Sequence, residues 1–593
     1  MSDSFLYDET LFDKSTNENI KEWLNSNCPK SCKQEIIDKI SSDPLFIQQA
    51  FSKKLYFGTG GLRALMRIGS NSINIYTIRA ASQGVVNYLL KNTFSYEKRS
   101  IVIGYDNRHH SKEFAIETAK IFAEKAFTIY LYDSVSPIAL VSFGVLYTHS
   151  LIGIMITASH NPKDYNGYKV FANYGGQVVF PQDEQIALEI SKIRISDVVN
   201  IKSDYQDKIL FFSKEIFEAY IDKINSFQLR PEMNRIHGFS IKIIYTNLHG
   251  TGITFIPRVL NAWGFTSVFL VKEQMSLDGD FPTVVAPNPE ENNVLYMGTK
   301  YLREQKGDIL IATDPDCDRL GVAVLYQEDI FYFNGNQLAC LLADYICNVL
   351  QIQGKLKENH CIVKTLVTTE LLKEIAKDYG INIVNVLTGF KYIGEKIAEW
   401  NSSSEYEFLF GAEESQGYLY KDHVRDKDAV LISSLTAEMA LYFKLKKKSM
   451  VSALFLLYQK HGWYHTRTIQ INFLNESENV ILEIMEKLRN RFSISFYELG
   501  EKKISCIEDY LTGNIIFIDG EIKKSDLPKS NVIRVLFKDG SKVVFRPSGT
   551  EPKLKLYFEI VNKSKFSGMK DALHILDLEL DDFIKKVRKE LKI

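Results

Sequence analysis

The feature that most constrains this chain is a short apolar run that ends in a polar loop. The run LIGIMI, residues 151–156, has the length and composition of a buried β-strand, and the turn-forming segment TASHNPKDYNGYKV follows it. Sheets of α/β proteins place ligands beyond the C-terminal ends of their strands. Ser159, with His160 beside it and Lys169 ten residues later, is therefore a candidate nucleophile or phosphoryl carrier. The Ser-His-Asn-Pro motif by itself is more typical of a simple turn.

Similar apolar runs recur with amphipathic helices between them, which predicts α/β units with largely parallel sheets. The polar first fifty residues are expected to be helical, with Trp23 and Leu24 as buried anchors. A helical connection over residues 430–459 leads to strand-rich segments of an α+β unit. Further strands are expected at residues 100–106, 127–133, 241–247, 361–367 and 381–386. The predicted domains are residues 1–219, 220–334, 335–463 and 464–593.

Composition argues against several classes of protein. The 593 residues carry 72 Lys and Arg against 73 Asp and Glu, a balance that does not suggest a nucleic-acid-binding or membrane-surface protein. No apolar run approaches the length of a transmembrane helix, and the N-terminus lacks the pattern of a signal peptide. Seven cysteines do not form a disulfide framework, and Cys28 and Cys32 lack a second pair for a zinc site. We therefore expect a cytoplasmic protein.

The segment ATDPDCDR, residues 312–319, indicates a metal site. Its three aspartates alternate, so an extended backbone would point all three carboxylates to one side, and grouped hard oxygen donors suit Mg²⁺. A calcium EF-hand is excluded because Arg319 and Leu325 take the positions that require glycine and glutamate. A solvated acidic turn is the simpler alternative. Carboxylates grouped at the end of a buried-type strand would repel one another without a cation, which favours the metal site.

A glycine-rich segment, FGTGGLRALMRIG, lies at residues 57–69. Its glycines, Gly61 among them, allow the backbone to approach a ligand closely, and Arg63 follows. The segment matches neither the Rossmann fingerprint nor the P-loop, because Arg63 takes the place of the last glycine and no Gly-Lys-Ser/Thr follows. In isolation it predicts only a glycine turn.

Two later segments place polar side chains in turns. GAEESQGY, residues 411–418, contains Glu413 and Ser415, which would lie on the same side of an extended loop and could hydrogen bond sugar hydroxyls. FRPSGTEPK, residues 545–553, contains Arg546, whose planar fork suits phosphate, followed by hydroxyl and backbone donors that can surround an anion. Each segment alone is also compatible with an ordinary surface turn.

Taken together and in this order, these loops resemble those of the α-D-phosphohexomutase superfamily of phosphoglucomutases and phosphomannomutases. The serine loop is similar to the family's phosphoserine loop, and ATDPDCDR to its metal loop, with Pro315 and Cys317 at spacer positions that usually hold glycine. GTGGLRALM is most similar to the branch of phosphoglucomutase 2 and the phosphopentomutases. The resemblance spans nearly the whole chain. It implies an α/β protein with three similar α/β domains plus a C-terminal α+β domain around a central cleft.

The resemblance also implies roles for the matched residues. The implied catalytic residues are Ser159, His160, Lys169 and Arg63, and the implied Mg²⁺ ligands are Ser159, Asp314, Asp316 and Asp318. The implied substrate-binding residues are Gly61, Arg63, Arg319, Thr388, Gly389, Glu413, Ser415, Lys427, Arg546, Ser548, Gly549, Thr550 and Lys553. Lys169 is preferred to Arg63 for proton transfer, because an arginine base needs a strongly altered environment.

The implied activity is that of a phosphoglucomutase, with Mg²⁺ as cofactor and glucose 1,6-bisphosphate as activator and intermediate. Alternatives on the same residues are a phosphopentomutase, a phosphomannomutase and a glucose 1,6-bisphosphate synthase. A catalytically inactive sugar-phosphate-binding regulator is disfavoured by the intact serine, aspartates and Arg546. A serine hydrolase would leave ATDPDCDR without a role. The expected partner is a sugar phosphate substrate, with no nucleic acid and no membrane, and the expected state is a monomer or homodimer.

Overall fold

The computed structural model describes residues 7–58, 61–92, 99–198, 208–212, 214–473, 479–492, 497–548 and 553–592. Gly549 and Thr550, two of the implied substrate-binding residues, lie outside these ranges. The chain forms two compact units. The first contains Met1–Gln228, Lys242–Leu320 and Asp422–Ser434, and the second contains Leu229–Ile241, Gly321–Lys421 and Leu435–Ile593.

The first unit begins with the elements that surround the serine loop. Its helices up to Gln228 are α1 (Lys14–Asn25), α2 (Lys30–Ser42), α3 (Pro44–Phe51), α4 (Ile75–Asn92), α5 (Ser111–Glu124), α6 (Ile138–Thr148), α7 (Gln182–Ser191), α8 (Ile195–Val198) and α9 (Lys214–Asn225). Its strands are β1 (Gly61–Leu65), β2 (Ser100–Tyr105), β3 (Thr128–Tyr132), β4 (Ile152–Ile156), β5 (Tyr165–Ala172) and β6 (Ile209–Phe212). The helical N-terminus is confirmed, and both Trp23 and Leu24 are buried.

The six strands form one sheet in the order β1-β5-β4-β2-β3-β6. Strands β4, β2, β3 and β6 run parallel, while β5 is antiparallel to both β4 and β1. Every residue of β2 and β4 is buried, which explains their continuous apolar sequence, since central parallel strands are covered on both faces. The apolar faces of α4 and α5 contribute to the core beside them.

Arg63 differs from the expected loop position, because residues 61–65 form strand β1 and Arg63 pairs with Gly167 of β5. The approach of the two strands is close. A Cβ atom on Gly61 would lie 2.4 Å from the carbonyl oxygen of Tyr168. Gly61 therefore permits the close pairing of β1 with β5.

The next elements complete the first unit and begin the second. They are α10 (Pro231–His237), β7 (Ile243–Thr246), α11 (Ile256–Ala262), β8 (Val268–Leu270), α12 (Tyr296–Glu304), β9 (Ile309–Thr313), β10 (Leu320–Tyr326) and β11 (Asp329–Phe333). In the first unit, β7 lies between β8 and β9 and is parallel to both. In the second unit, β10 and β11 form an antiparallel pair.

The second unit continues with an α/β segment and an antiparallel segment. The α/β segment contains α13 (Gly335–Ile352), β12 (His360–Thr365), α14 (Leu371–Asp378), β13 (Asn382–Val386), α15 (Phe390–Ser403), β14 (Glu407–Ala412), β15 (Tyr418–Tyr420) and α17 (Met450–His461). Helix α16 (Ala429–Leu445) begins in the first unit and ends in the second. Its sheet has the order β13-β12-β14-β15, with β12 parallel to both neighbours. Helix α13 begins with a capping box formed by Asn334 and Gln337.

The last segment is antiparallel, as expected for an α+β domain. It contains β16 (Trp463–Asn472), α18 (Asn479–Phe492), β17 (Glu498–Leu499), β18 (Lys502–Asp509), β19 (Asn514–Phe517), β20 (Ile522–Lys524), β21 (Ile533–Phe537), β22 (Lys542–Pro547), β23 (Lys553–Asn562) and α19 (Met569–Leu591). Its strand order is β16-β23-β22-β21-β18-β19-β20, and β17 pairs with β18. Within the described residues, no helix combines the length and apolar character needed to cross a membrane.

Candidate active site

Ser159 lies in the loop after β4, and its backbone is in the left-handed region with φ of 50°. Few non-glycine residues adopt this conformation, and it persists only where the surrounding structure enforces it. The enforcing residue is Arg108, which is 3% exposed. Its guanidinium donates to the carbonyl oxygens of Ser159, Asn161, Pro162 and Tyr165 at 2.5–3.0 Å. No local sequence pattern predicts this role for Arg108, because the loop that it contacts follows two strands later in the chain.

The three aspartates lie in the turn after β9, which ends at Thr313. The expected extended backbone is wrong. The amide of Cys317 donates to the carbonyl oxygen of Asp314 at 2.9 Å, and Cys317 itself has φ of 58°. The turn, rather than strand alternation, brings Asp314, Asp316 and Asp318 together, with ligand atoms within 4.8 Å of one another.

The serine and the aspartate turn meet directly. Ser159 Oγ donates to Asp314 Oδ2 at 2.8 Å, and His160 Nδ1 lies 3.2 Å from the same Oγ. The other carboxylate oxygen of Asp314 accepts from the amides of Asp318 and Arg319 at 3.0 and 2.9 Å. Asp314 therefore orders its own turn and holds the serine hydroxyl at the same time.

Two lysines face the remaining aspartates. Lys169 Nζ of β5 donates to Asp316 Oδ2 at 2.8 Å, and Lys427 Nζ lies 3.2 Å from Asp318 Oδ2. All three aspartates are buried. Asp316 Oδ1 and Asp318 Oδ1 are also buried and have no hydrogen-bond partner among the described residues. Two unsatisfied carboxylate oxygens beside a third carboxylate are the donor set that a hard divalent cation requires, so these residues fit Mg²⁺.

Burial and the charges of the site shift the pKa values of Asp314, Asp316 and His160. Burial, together with Asp318 and Asp316, raises the pKa of Asp314 well above its usual range. Burial also opposes ionisation of Asp316, but the ammonium group of Lys169 outweighs it and lowers the pKa of Asp316. Desolvation and the nearby guanidinium of Arg319 lower the pKa of His160 well below its usual range, so its ring is neutral at pH 7.

The two implied arginines of this unit lie at the edges of the serine loop and the aspartate turn. Arg63 Nη1 donates to Asn161 Oδ1 at 2.9 Å, so it contacts the serine loop from β1. Arg319 follows the third aspartate and pairs with the carboxylate of Glu290. Arg63 thus lies beside the serine loop, and Arg319 lies beside the aspartate turn.

A second loop packs against the aspartate turn. It follows β7 and has the sequence His249-Gly250-Thr251-Gly252. Thr251 donates to the carbonyl oxygen of Pro315 through its amide at 2.8 Å and its hydroxyl at 2.7 Å. A Cβ atom on Gly250 would lie 2.3 Å from Pro315 Cα. The two glycines of this loop are the sequence signal that could have predicted its close packing.

In the second unit, Glu413 and Ser415 lie in the turn between β14 and β15, so the expected extended loop is again wrong. The amide of Glu413 donates to the carbonyl oxygen of Gly417 at 2.9 Å, which closes the turn. The N-terminus of α13 packs against it, since a Cβ atom on Gly335 would lie 2.0 Å from the carbonyl oxygen of Glu414.

Arg546 lies near the end of β22, opposite Lys555 of β23. Its Nη1 donates to the hydroxyl of Tyr557 at 3.4 Å. Burial and the carboxylates of Glu414 and Glu413 raise the pKa of Tyr557 to about 12, although Arg546 opposes this rise. Tyr557 therefore contacts Arg546 and is influenced electrostatically by the acidic turn.

The remaining implied residues of the second unit lie at strand and helix ends. The amide of Ser548 donates to the carbonyl oxygen of Lys553, so Ser548, directly after β22, lies beside the first residue of β23. Gly389 precedes α15 with φ of 121°, a conformation that favours glycine. The hydroxyl of Thr388 is buried and has no hydrogen-bond partner among the described residues.

Comparison with known families assigns most of the chain. Residues 54–196, 218–327 and 334–460 match the phosphoglucomutase/phosphomannomutase alpha/beta/alpha domains I, II and III, and residues 508–574 match the C-terminal domain of the same family. These matches confirm the predicted four-domain α/β architecture. The finer domain boundaries at residues 219, 334 and 463 stay predictions.

Curated relatives carry the same family name over most of their length. A phosphoglucomutase of Staphylococcus haemolyticus (strain JCSC1435) is 34% identical over 531 residues, covering 88% of this chain and 93% of that protein. A phosphoglucomutase of Staphylococcus aureus (strain USA300) is 36% identical over 520 residues, covering 86% and 91%.

Solved structures share the fold at lower identity. The open form of pp63/parafusin, a phosphoglucomutase from Paramecium, has a TM-score of 0.65 at 16% identity and covers 90% of this chain and 95% of its own. A phosphoglucomutase/phosphomannomutase family protein from Burkholderia thailandensis has a TM-score of 0.63 at 18% identity and covers 91% and 97%.

Proposed function

Because the chain belongs to the phosphoglucomutase/phosphomannomutase family, we propose that it is a phosphoglucomutase that interconverts glucose 1-phosphate and glucose 6-phosphate. The observation that carries this proposal is the 2.8 Å hydrogen bond between Ser159 Oγ and Asp314, one of three buried aspartates. A serine in contact with carboxylates that are grouped as in a metal site suits phosphoryl transfer, because positioning and electrostatics supply most of the catalysis of that reaction.

Ser159 acts as the phosphoryl carrier in this proposal. Its phosphorylated form transfers the phosphoryl group to the O6 hydroxyl of glucose 1-phosphate, which breaks the Oγ–P bond and forms glucose 1,6-bisphosphate. The bisphosphate then reverses its orientation in the site. Ser159 Oγ takes the phosphoryl group from O1, which releases glucose 6-phosphate. Lys169 is the proposed proton-transfer residue: the proton lost by the O6 hydroxyl passes through it to the departing Ser159 Oγ, and the second half-reaction transfers a proton from Ser159 Oγ to O1 by the same route. Neutral His160 orients the serine oxygen from 3.2 Å.

The aspartate turn is the proposed Mg²⁺ site. The ligands would be Asp314, Asp316 and Asp318 together with a phosphate oxygen on Ser159. When bound, Mg²⁺ supplies charge neutralisation for the transferring phosphoryl group. The protein contributes Lys169 and Lys427 beside the same carboxylates.

The other matched residues are proposed to hold the sugar phosphate. Glu413 and Ser415 would bind sugar hydroxyls, and Arg546 would bind the phosphate that does not react, by two parallel hydrogen bonds. Lys427 would contact the substrate phosphate. The remaining proposed substrate-binding residues are Gly61, Arg63, Arg319, Thr388, Gly389, Ser548, Gly549, Thr550 and Lys553. We also propose a cytoplasmic location, in keeping with seven cysteines that form no disulfide among the described residues.

Mass spectrometry and coupled assays test the function together. Phosphate is expected on Ser159 and is expected to leave it when glucose 1-phosphate is added. Turnover should be fastest with glucose 1-phosphate when ribose 1-phosphate and mannose 1-phosphate are compared under the same conditions. Ser159→Ala should lose both the phosphate and the turnover.

Ser134→Ala is the matched control, because Ser134 is an exposed serine just after β3 of the same sheet. It should keep wild-type turnover. Full turnover in Ser159→Ala would remove Ser159 from the mechanism, and faster turnover of ribose or mannose 1-phosphate would change the proposed substrate.

A further inference from the structure

A cluster of buried charges in the second unit is not used by the proposed mechanism. At its centre, Glu370 lies between β12 and α14. Its Oε1 accepts hydrogen bonds from Lys364 at 2.8 Å, Arg534 at 2.7 Å and Lys542 at 2.9 Å. Lys364 belongs to the same α/β segment as Glu370, while Arg534 and Lys542 belong to the antiparallel segment. One carboxylate therefore joins cations from two domains.

Two further acids balance the cluster. Arg534 Nη1 donates to Glu508 at 3.0 Å, and Glu559 lies 3.8 Å from Lys542 Nζ. The amide of Glu370 also donates to Glu559 at 3.0 Å. We call Lys364, Glu370, Glu508, Arg534, Lys542 and Glu559 the Glu370 cluster; three of its side chains are cationic and three anionic.

The cluster is almost shielded from solvent. The side chains of Lys364 and Lys542 are 1% exposed and that of Arg534 is 4% exposed. Burial lowers the pKa of Lys364 to about 8 despite the neighbouring carboxylate. Burial would raise the pKa of Glu370, but the three cations hold it well below its usual range. Removing one partner leaves uncompensated buried charge, so the geometry of the remaining groups must change.

The cluster is connected to both ligand loops of this unit. Lys542 begins β22, the strand that carries Arg546, and its Nζ also donates to the carbonyl oxygens of Leu366 and Thr368. On the other side, Thr365 Oγ1 donates to Glu414 Oε2 at 3.3 Å, within the turn that contains Glu413.

An apolar layer lies beside these polar contacts. Tyr557 and Val544 pack with Leu366, Val367 and Leu387. Apolar contacts of this kind are non-directional and tolerate small shifts between the surfaces that they join. Hydrogen bonds between charged groups are short and directional, so the Glu370 cluster is the element that can define one register between the domains.

We propose that Glu370 is a positioning residue that holds the phosphate-binding Arg546 in register with the sugar-binding turn at Glu413 and Ser415. Glu370 does not touch the substrate; it acts through Lys542 and β22 on one side and through Thr365 and Glu414 on the other. This inference rests on the proposed function, because it assigns those two loops to opposite ends of one sugar phosphate. Both half-reactions need the same spacing between the loops.

Kinetics of four variants test the proposal. Glu370→Gln removes the central charge with little change in shape, and Lys542→Met cuts the link to β22. Each of these two variants should raise the KM for glucose 1-phosphate by about tenfold, because small misplacements of binding groups weaken substrate binding. Free glucose 1,6-bisphosphate should accumulate during turnover, while Ser159 can still be phosphorylated.

The two control variants also remove a charged side chain, but one that does not link the Glu370 cluster to either substrate-binding loop. Glu407→Gln removes a carboxylate that pairs with Lys357 and Lys421 at the start of β14, at the other end of the strand from the sugar-binding turn. Lys502→Met removes a lysine that pairs with Asp539 in the antiparallel segment and does not belong to the Glu370 cluster. Both should keep the KM within about twofold of wild type at a comparable loss of thermal stability.

Hydrogen exchange provides a readout that does not depend on the substrate. In Glu370→Gln, the amides of β22 near Arg546 and those of the turn at Glu413 should exchange faster together, while amides of β13 should not change. This measurement separates the two proposals. Loss of glucose 1-phosphate turnover in the wild type would contradict the proposed function, whereas exchange would still report on the Glu370 cluster.

Two results would overturn the inference. One is a KM in Glu370→Gln and Lys542→Met that stays within about twofold of wild type. The other is an equal rise in all four variants at matched thermal stability, which would show that the cluster contributes only stability. If Glu370→Gln does not fold, Lys542→Met alone decides between these outcomes.

Discussion

At the scale of single residues, Asp316 shows most clearly that the site is built for a cation. One of its carboxylate oxygens accepts from Lys169, while the other is buried without a hydrogen-bond partner among the described residues. Asp316→Asn keeps an acceptor for Lys169 and removes the charge. We expect turnover to fall by about 10²–10³-fold, since charge stabilisation in the transition state is lost. Steady-state assays over a range of Mg²⁺ concentrations measure this.

Asp280→Asn is the control for that change. Asp280 is an exposed acid of the same unit that pairs with Lys163 and His109. The turnover of the Asp280→Asn variant should equal that of the wild type. Undiminished activity of Asp316→Asn, or of the wild type after exhaustive chelation, would contradict the metal site.

Arg546 is the residue that we propose to bind the substrate phosphate. It is half-buried at the end of β22 and contacts Tyr557. Arg546→Ala should cost about 1.5–3 kcal/mol of binding, because hydrogen bonds to a charged group are lost. The KM should therefore rise by roughly tenfold to a hundredfold, with release of free glucose 1,6-bisphosphate.

Arg491→Ala is the matched control, since Arg491 is also partly buried and pairs with Glu590 in the same domain. It should leave the KM unchanged. If Arg546→Ala binds substrate normally and only fails to phosphorylate Ser159, then Arg546 belongs to the chemistry rather than to binding.

At the scale of elements, the loop after β7 and the turn after β9 depend on one close contact. Gly250 has φ of −96°, so its backbone is accessible to any residue, but a Cβ atom would lie 2.3 Å from Pro315 Cα. Gly250→Ala should push the aspartate turn out of place and cost about 1–3 kcal/mol in the free energy of unfolding. Urea unfolding and Mg²⁺ titration measure the two effects.

Gly568→Ala serves as the comparison. A Cβ atom at Gly568 would meet only Asp571, at 3.8 Å, among the described residues. This variant should change neither stability nor Mg²⁺ affinity by a measurable amount. Wild-type Mg²⁺ affinity in Gly250→Ala would show that the aspartate turn does not need the support of the neighbouring loop.

At the scale of the whole molecule, Mg²⁺ should stabilise the folded chain. A ligand that binds only the native state adds about 2.7 kcal/mol at a hundred times its dissociation constant. Scanning calorimetry of the wild type should therefore show a higher Tm in Mg²⁺ than after chelation, and Asp316→Asn should show no difference. An equal Mg²⁺ effect in both proteins would place the binding elsewhere.

The sequence by itself determined the fold class, the order of the four domains and the positions of the loops that are proposed to form the active site. The strand at residues 152–156, the three aspartates after β9 and Arg546 at the end of β22 were all located from local patterns. These patterns are readable because an apolar run of strand length followed by turn residues is a local property of the chain.

Only the tertiary structure decided which side chains meet. It placed Arg63 in a strand instead of a loop, replaced the expected extended aspartate segment by a turn, and showed Arg108 bound to the serine loop. It also brought Lys427 to Asp318 from a segment far along the chain. Such contacts depend on strand order and on loop packing, which follow from the whole folded chain and leave no periodic signal in any one segment.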